Sequence, residues 1–208
     1  MTQDRHIQIT PSVLYVGTPV ALITSLNTDG SCNISPMSSA WALGDRVVLG
    51  MSSSSQGREN VIRTRELVIN FPDATLWQQV ESIARATGRN PVPLHKQKIG
   101  YSFEPDKFKL SGLTAQQSQL VKPMRIAECP IQFEAQVMAA HDRCGESSNF
   151  AEGFQIVETR VMCVHAHRDI VIPGTQHIDT DKWSPLLYVF RHYFGTASDL
   201  GRTFKAEA

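Results

Sequence analysis

The spacing of apolar and polar positions predicts a chain that opens with strands laid side by side. Pro19-Val20-Ala21-Leu22-Ile23-Thr24-Ser25-Leu26 is apolar and β-branched at successive positions, the pattern of a strand covered on both faces. Asn27-Thr28-Asp29-Gly30 supplies a turn, with a glycine free to take positive φ. The chain returns through Ser31-Cys32-Asn33-Ile34-Ser35, and Gly44-Asp45-Arg46 turns it again into Val47-Val48-Leu49-Gly50-Met51. Residues 58–66 have the composition of a short helix, behind a run of serines able to cap it. Leu67-Val68-Ile69-Asn70-Phe71 is a further strand, halted by Pro72, and residues 76–86 read as a helix with Val80, Ile83 and Ala84 on one side. Residues 88–105 have little periodicity and hold Pro91, Pro93 and Pro105, which predicts a long loop. Downstream, residues 131–137 alternate strictly, as a half-buried strand does, and residues 154–166 are long and β-rich. Residues 179–194 are aromatic, with Trp183, Tyr188, Phe190, Tyr193 and Phe194. Strands that follow one another mostly by hairpins predict a mostly β fold, an antiparallel barrel with peripheral helices.

Composition narrows the class. With 208 residues, 41% of them hydrophobic, the chain suits one larger domain over residues 1–208, with a long loop at about 87–106. Twenty basic residues balance twenty acidic ones, so the excess of cations that phosphate backbones demand is missing and nucleic acid is not an expected partner. Zero formal charge leaves little self-repulsion, which suits association into oligomers. The polar start Met1-Thr2-Gln3-Asp4-Arg5-His6 does not read as a signal peptide, and no run nears the roughly 18 apolar residues of a membrane span. A cytoplasmic protein without a membrane partner is therefore expected. Cys32, Cys129, Cys144 and Cys163 are far apart and form no C-x-x-C pair, so they are expected as reduced thiols in or near the core.

The chemistry concentrates in two segments. Asn33-Ile34-Ser35-Pro36-Met37-Ser38-Ser39-Ala40-Trp41 and Gly50-Met51-Ser52-Ser53-Ser54-Ser55-Gln56-Gly57-Arg58-Glu59-Asn60 are both rich in small and hydroxyl-bearing residues, and the second runs into the predicted helix. A helix N-terminus presents unsatisfied N–H groups and a positive dipole end, and flanking hydroxyls add donors, so the pair can hold a dianionic phosphate. Arg58 offers a full positive charge nearby. The same serines also serve as ordinary turn and cap residues, and composition alone leaves both readings open.

The succession of these segments resembles the flavin reductase-like domain of the FMN-binding split-barrel superfamily. Pro19-Val20-Ala21-Leu22-Ile23-Thr24, Asp29-Gly30 and Asn33-x-Ser35-Pro36-x-Ser38 resemble its opening hairpin. The serine segment through Asn60, then Glu66-Leu67-Val68-Ile69-Asn70, resembles its next strand, helix and strand. Glu128-Cys129-Pro130-Ile131-x-Phe133-Glu134 and Lys182-Trp183-x-Pro185-Leu186-x-Tyr188 extend the likeness over most of the chain. The resemblance implies a split β-barrel homodimer with FMN at the interface. It places Asn33, Ser35, Pro36, Met37, Ser38 and Ser39 beside the flavin ring, and Ser52, Ser53, Ser54, Ser55 and Asn60 beside its phosphate. Trp41 adjoins the ring segment. Many relatives carry a threonine three residues before that asparagine, where this chain has Gly57.

The implied activity is reduction of the flavin by NADH or NADPH, with electrons passed to free flavin or a partner monooxygenase. An oxidase of a pyridoxamine phosphate-like substrate and a non-catalytic electron carrier are the alternatives. Hydride transfer needs the rings held about 3–3.5 Å apart more than it needs a protein acid or base, and no residue is singled out as catalytic.

Three other features have bland readings beside functional ones. His165-x-His167 puts two imidazoles on one strand face, but no Asp or Glu at ligand spacing accompanies them, so no metal is expected. Residues 85–109 hold six Lys or Arg against two acidic residues, either a solvated loop or an attractor for nucleotide phosphates through Arg89, Lys96 and Lys98. Trp41 and Trp77 read first as core anchors.

Overall fold

The computed structural model describes residues 6–143, 153–195 and 200; Cys144 lies outside them. After a short strand β1 (Val16–Pro19) the chain forms β2 (Ala21–Leu26), β3 (Cys32–Met37), β4 (Ala40–Leu43) and β5 (Arg46–Ser52). The expected meander is instead two hairpins, β2-β3 and β4-β5, because β3 and β4 run to opposite edges of the sheet. The first turn closes on Asp29, whose carboxylate accepts from the backbone N–H (2.9 Å) and hydroxyl (2.6 Å) of Ser31. Gly30 sits there at φ 86°.

Helix α1 (Gln56–Thr64) starts two residues earlier than the composition suggests, because Ser55 caps it by accepting from the N–H of Arg58 at 3.1 Å. It stops at Arg65, which turns left-handed at φ 58° and releases Glu66 into β6 (Glu66–Phe71). The second predicted helix is shorter than expected. A 3-10 turn at Ala74–Leu76, capped by Asp73, leads into α2 (Trp77–Ser82), and the chain then straightens into β7 (Ala86–Thr87). The segment expected as a loop holds α3 (Leu94–Lys98) and β8 (Ser102–Phe103), which pairs in parallel with β7. Beyond it come α4 (Lys107–Ser111), β9 (Ala115–Gln116), β10 (Arg125–Ile126), β11 (Ile131–Arg143), β12 (Phe154–Ala166), β13 (Leu187–Val189) and β14 (His192–Phe194).

Seven of these strands form one antiparallel sheet in the order β3-β2-β6-β11-β12-β5-β4, the mostly β split-barrel architecture. Strand β2 explains its own composition. Ala21 and Ile23 point into a core with Leu49, Met51, Leu67, Ile69, Ala135, Val137 and Val157. Val20, just before it, and Leu22 point the other way, into a second core with Val80, Ile83, Leu113, Ile126 and Leu186. A strand with a core on each face has no place for an exposed polar residue.

Trp41 and Trp77 are not core anchors: they are 59% and 46% exposed. Trp41 lies on the outward face of the edge strand β4, where Ala40 takes the inward place, and Trp77 opens α2 on its outer side. Cys129 is buried, Cys32 and Cys163 are half-buried, and all three are free thiols.

Glu134 is fully buried on β11 and holds the 119–121 turn against the sheet. Its carboxylate accepts from the N–H groups of Gln119 (2.8 Å), Leu120 (2.6 Å) and Val121 (3.3 Å), with His165 at 2.7 Å. Burial alone pushes its pKa up, but the Gln119 and Leu120 N–H bonds and His165 outweigh that and hold it below the usual range. The charged form thus contributes stability at pH values above the ordinary glutamate pKa of about 4.3, and loses it as pH falls through the lowered folded value. Glu134→Gln turns an amide donor toward these N–H groups and should cost about 1–3 kcal/mol in urea unfolding at pH 7. The deficit should shrink toward acid pH; a constant deficit from pH 7 to pH 3 would refute this role.

Candidate functional site

A cavity of about 650 Å³ opens between the two cores, within the range of small-molecule sites. Met37 and Met51 reach it from one core, Val20, Val80 and Ala86 from the other. One wall is β3 and the loop after it, with Asn33, Ser35, Pro36, Met37, Ser38 and Ser39. Ser52 at the end of β5, with Ser55, Gln56 and Gly57 at the start of α1, continues that wall. The loop is tied to β5 by two bonds: Gly50 N–H donates to Ser39 O (2.8 Å), and Ser39 Oγ donates to Gly50 O (2.7 Å).

The start of α1 packs against β3 with no side chain between. A Cβ on Gly57 would overlap Ser35 Oγ, and one on Gly88 would stand 2.6 Å from Asn33 Oδ1. Asn33, almost wholly buried, donates from Nδ2 to Ser35 Oγ at 3.0 Å. Ser55 Oγ and the Ser55 carbonyl take the N–H groups of Arg58 and Glu59. Gln56 and Gly57, whose N–H groups have no partner inside the helix, line the cavity. Hydroxyls of Ser52 and Ser55 flank them. This donor set, on a surface kept bare by glycine, fits the phosphate end of a cofactor.

The family model for the flavin reductase like domain matches residues 13–197. This chain belongs to the flavin reductase-like family. It is 44% identical over 203 residues to the uncharacterized protein YdfE of Bacillus subtilis (strain 168), covering 98% of this chain and 95% of that one. Among solved structures, flavoredoxin from Methanosarcina acetivorans superposes with a TM-score of 0.75 at 17% identity, over 97% of this chain and 96% of that one. Nitrilotriacetate monooxygenase component B from Bacillus cereus superposes with a TM-score of 0.70 at 16% identity, over 92% and 88%.

Within this flavin reductase-like fold, not every residue expected at the site lines the cavity. Asn33, Ser35, Pro36, Met37, Ser38, Ser39, Ser52 and Ser55 do; Trp41, Ser53, Ser54, Arg58 and Asn60 do not. Arg58 folds back, donating from Nη2 to Ser53 O, and Ser54 Oγ pairs with Ser52 Oγ at 3.1 Å. Asn60 is fully buried and clamps α1 to the first hairpin, donating to Ser25 Oγ (3.3 Å) and Asn27 Oδ1 (2.6 Å).

Of the basic segment, Arg89 is ion-paired with Glu59, Lys98 is off the cavity, and Lys96 lines it, 5.8 Å from the centre of the Tyr101 ring. Lys107 was visible only as one cation among six. It is nearly fully buried at the cavity wall and donates from Nζ to Ile34 O at 2.7 Å. Burial, with Lys96 nearby, brings its pKa down to about 8, so the ammonium form still predominates at pH 7. The sequence carries no local signal for it, since its burial comes from contact with β3. The tyrosines Tyr15, Tyr188 and Tyr193 also reach the wall.

The histidine pair is occupied elsewhere. His165 contacts Glu134 and lies 3.4 Å from Cys163 Sγ, while His167 Nε2 lies 2.9 Å from Ala127 O. The carboxylate missing from local spacing arrives from the neighbouring strand, bound to three backbone N–H groups. Among the described residues no group of three or more His, Cys, Asp or Glu is placed to hold a metal.

Gly57 carries a sharp expectation. Gly57→Ala should lower stability by about 1–3 kcal/mol through its overlap with Ser35. Adding Ser35→Ala removes the obstructing hydroxyl and should restore part of the loss. Equal melting temperatures for the wild type and Gly57→Ala would disprove the close approach.

Proposed function

We propose that this chain is an FMN-dependent flavin reductase, reduced by NADH or NADPH and passing its electrons to free flavin or a partner acceptor. The observation that carries the reading is a single cavity lined both by the first residues of α1 and by the Asn33–Ser39 wall. In this reading Gln56, Gly57, Ser52 and Ser55 receive the phosphate, and the Asn33 to Ser39 segment lies along the ring, its backbone and small side chains admitting a flat group closely. Bound there, the flavin accepts hydride from a nicotinamide and releases electrons to the next acceptor. Lys107 and Lys96 add positive charge to the same cavity and favour anionic ligands. The likeness to nitrilotriacetate monooxygenase component B supports a partner monooxygenase as one acceptor.

A homodimer belongs to the same proposal. Edge strand β4 carries Trp41 and Leu43 at 59% and 73% exposure, and a bare apolar edge favours cover by a second copy. Sedimentation is expected to give about twice the 23.1 kDa chain mass. A monomer at micromolar concentration would exclude this arrangement. Among the described residues no helix is long and apolar enough to cross a membrane.

The purified protein should show a flavin spectrum that NADH or NADPH bleaches without oxygen. A stable yellow protein indifferent to both nucleotides would be a carrier instead. Ser55→Asp keeps a competent helix cap but sets a carboxylate beside the phosphate, and should weaken FMN about a hundredfold. Unchanged FMN affinity would move the phosphate away from α1. Lys96→Ala should raise KM for the nucleotide, whereas Lys98→Ala, off the cavity, should not.

A further inference from the structure

Three tyrosines from the two ends of the chain meet on the wall of the cavity. Tyr15 precedes β1, while Tyr188 and Tyr193 face each other across the β13–β14 hairpin. The rings of Tyr15 and Tyr188 meet edge to face, 5.5 Å between centres at 69°. Those of Tyr188 and Tyr193 are 5.8 Å apart at 59°. The array is held in place. Tyr193 donates its hydroxyl to Glu81 at 3.1 Å, and Phe190 N–H in the hairpin turn donates to Tyr15 O at 2.8 Å. That turn puts Phe190 and Arg191 at φ 42° and 71°, a conformation side chains adopt rarely and keep only where their surroundings enforce it. Burial raises the pKa of Tyr188, and burial with the Glu81 charge raises that of Tyr193, so both stay protonated, the Tyr193 proton being given to Glu81.

The geometry points to a subsite on this wall for a planar, uncharged two-electron acceptor of the quinone class. Aromatic faces and edges take a flat ring, and the phenolic hydroxyls of Tyr15 and Tyr188 donate to ring carbonyl oxygens. A pyridine nucleotide brings a pyrophosphate, whereas the charges acting on Tyr188 are one of each sign, Arg191 and Glu81, with no excess of cations to receive it. The inference rests on the flavin reading above and names the acceptor for it. The reaction balances as NAD(P)H + H⁺ + quinone → NAD(P)⁺ + hydroquinone. The nicotinamide C–H bond breaks, two electrons reach the quinone through the flavin, and two O–H bonds form. One proton comes with the hydride and one from solvent.

The test uses menadione, a small uncharged naphthoquinone, in equilibrium dialysis against the oxidised, FMN-loaded protein without nucleotide. Tyr188→Ala and Tyr15→Ala should each weaken menadione binding about three- to tenfold. Tyr188 packs on the second core, so if its variant fails to fold, Tyr15→Ala, which lies outside that core, carries the test. Visible spectra report FMN content in every sample. Equal menadione affinity in the wild type and the folded variants would overturn the proposal, and so would a loss seen only where FMN is lost. In steady state the variants should raise KM for menadione; a rise in KM for NADH alone would give the wall to the nucleotide and overturn it too. Tyrosine-dependent menadione binding by a protein that NADH fails to bleach would keep the subsite and reject the reductase reading.

Discussion

Everything about this site depends on strand β2 having no solvent-facing side. Its alternate residues are claimed by two separate hydrophobic cores, so β2 fastens the barrel to the layer of helices and short strands outside it, with β3 and Glu134 on β11 as further ties. The cavity lies between those cores and takes side chains from each. Close-packed interiors resist small displacements, so a wall backed by such a core keeps its shape whether or not a ligand is present. A preformed slot suits chemistry in which ring separation governs the rate.

Against that apolar frame, the polar part of the site is mostly backbone. Asn33 is enclosed between Gly57 and Gly88, and its amide is used to orient Ser35 rather than left open. The start of α1 approaches β3 through bare glycine, which leaves N–H groups rather than side chains as the donors. Side chains that looked available in the sequence do structural work instead. Asn60 fastens the helix to the hairpin, and Arg58 closes on the carbonyl of Ser53.

The central strands, the first hairpin, the family and eight of the candidate wall residues were legible because each leaves a local mark. β2 is apolar at period one, residues 131–137 alternate at period two, and hydroxyls crowd a helix start. What escaped depends on contacts remote in sequence. Lys107 looks like a loop cation until α4 turns it onto Ile34, 73 positions away. Glu134 carries no ligand spacing to His165, yet β11 and β12 set them side by side. The tryptophans misled in the opposite direction: size suggested a core, but strand parity at Trp41 gave the interior to Ala40. The tyrosine wall joins residue 15 to residues 188 and 193, a pairing no window of sequence contains.

The contact between Gly57 and Ser35 also bears on how this lineage can change. A Cβ at position 57 would overlap Ser35 Oγ, so any side chain there needs room made at residue 35. The two sites are therefore not free to drift independently. A larger residue at 57 requires that the Ser35 side chain turn away or shrink, or that its strand shift. Positions 35 and 57 should accordingly covary among homologues, with a bulky residue tolerated at one only where the other has made room.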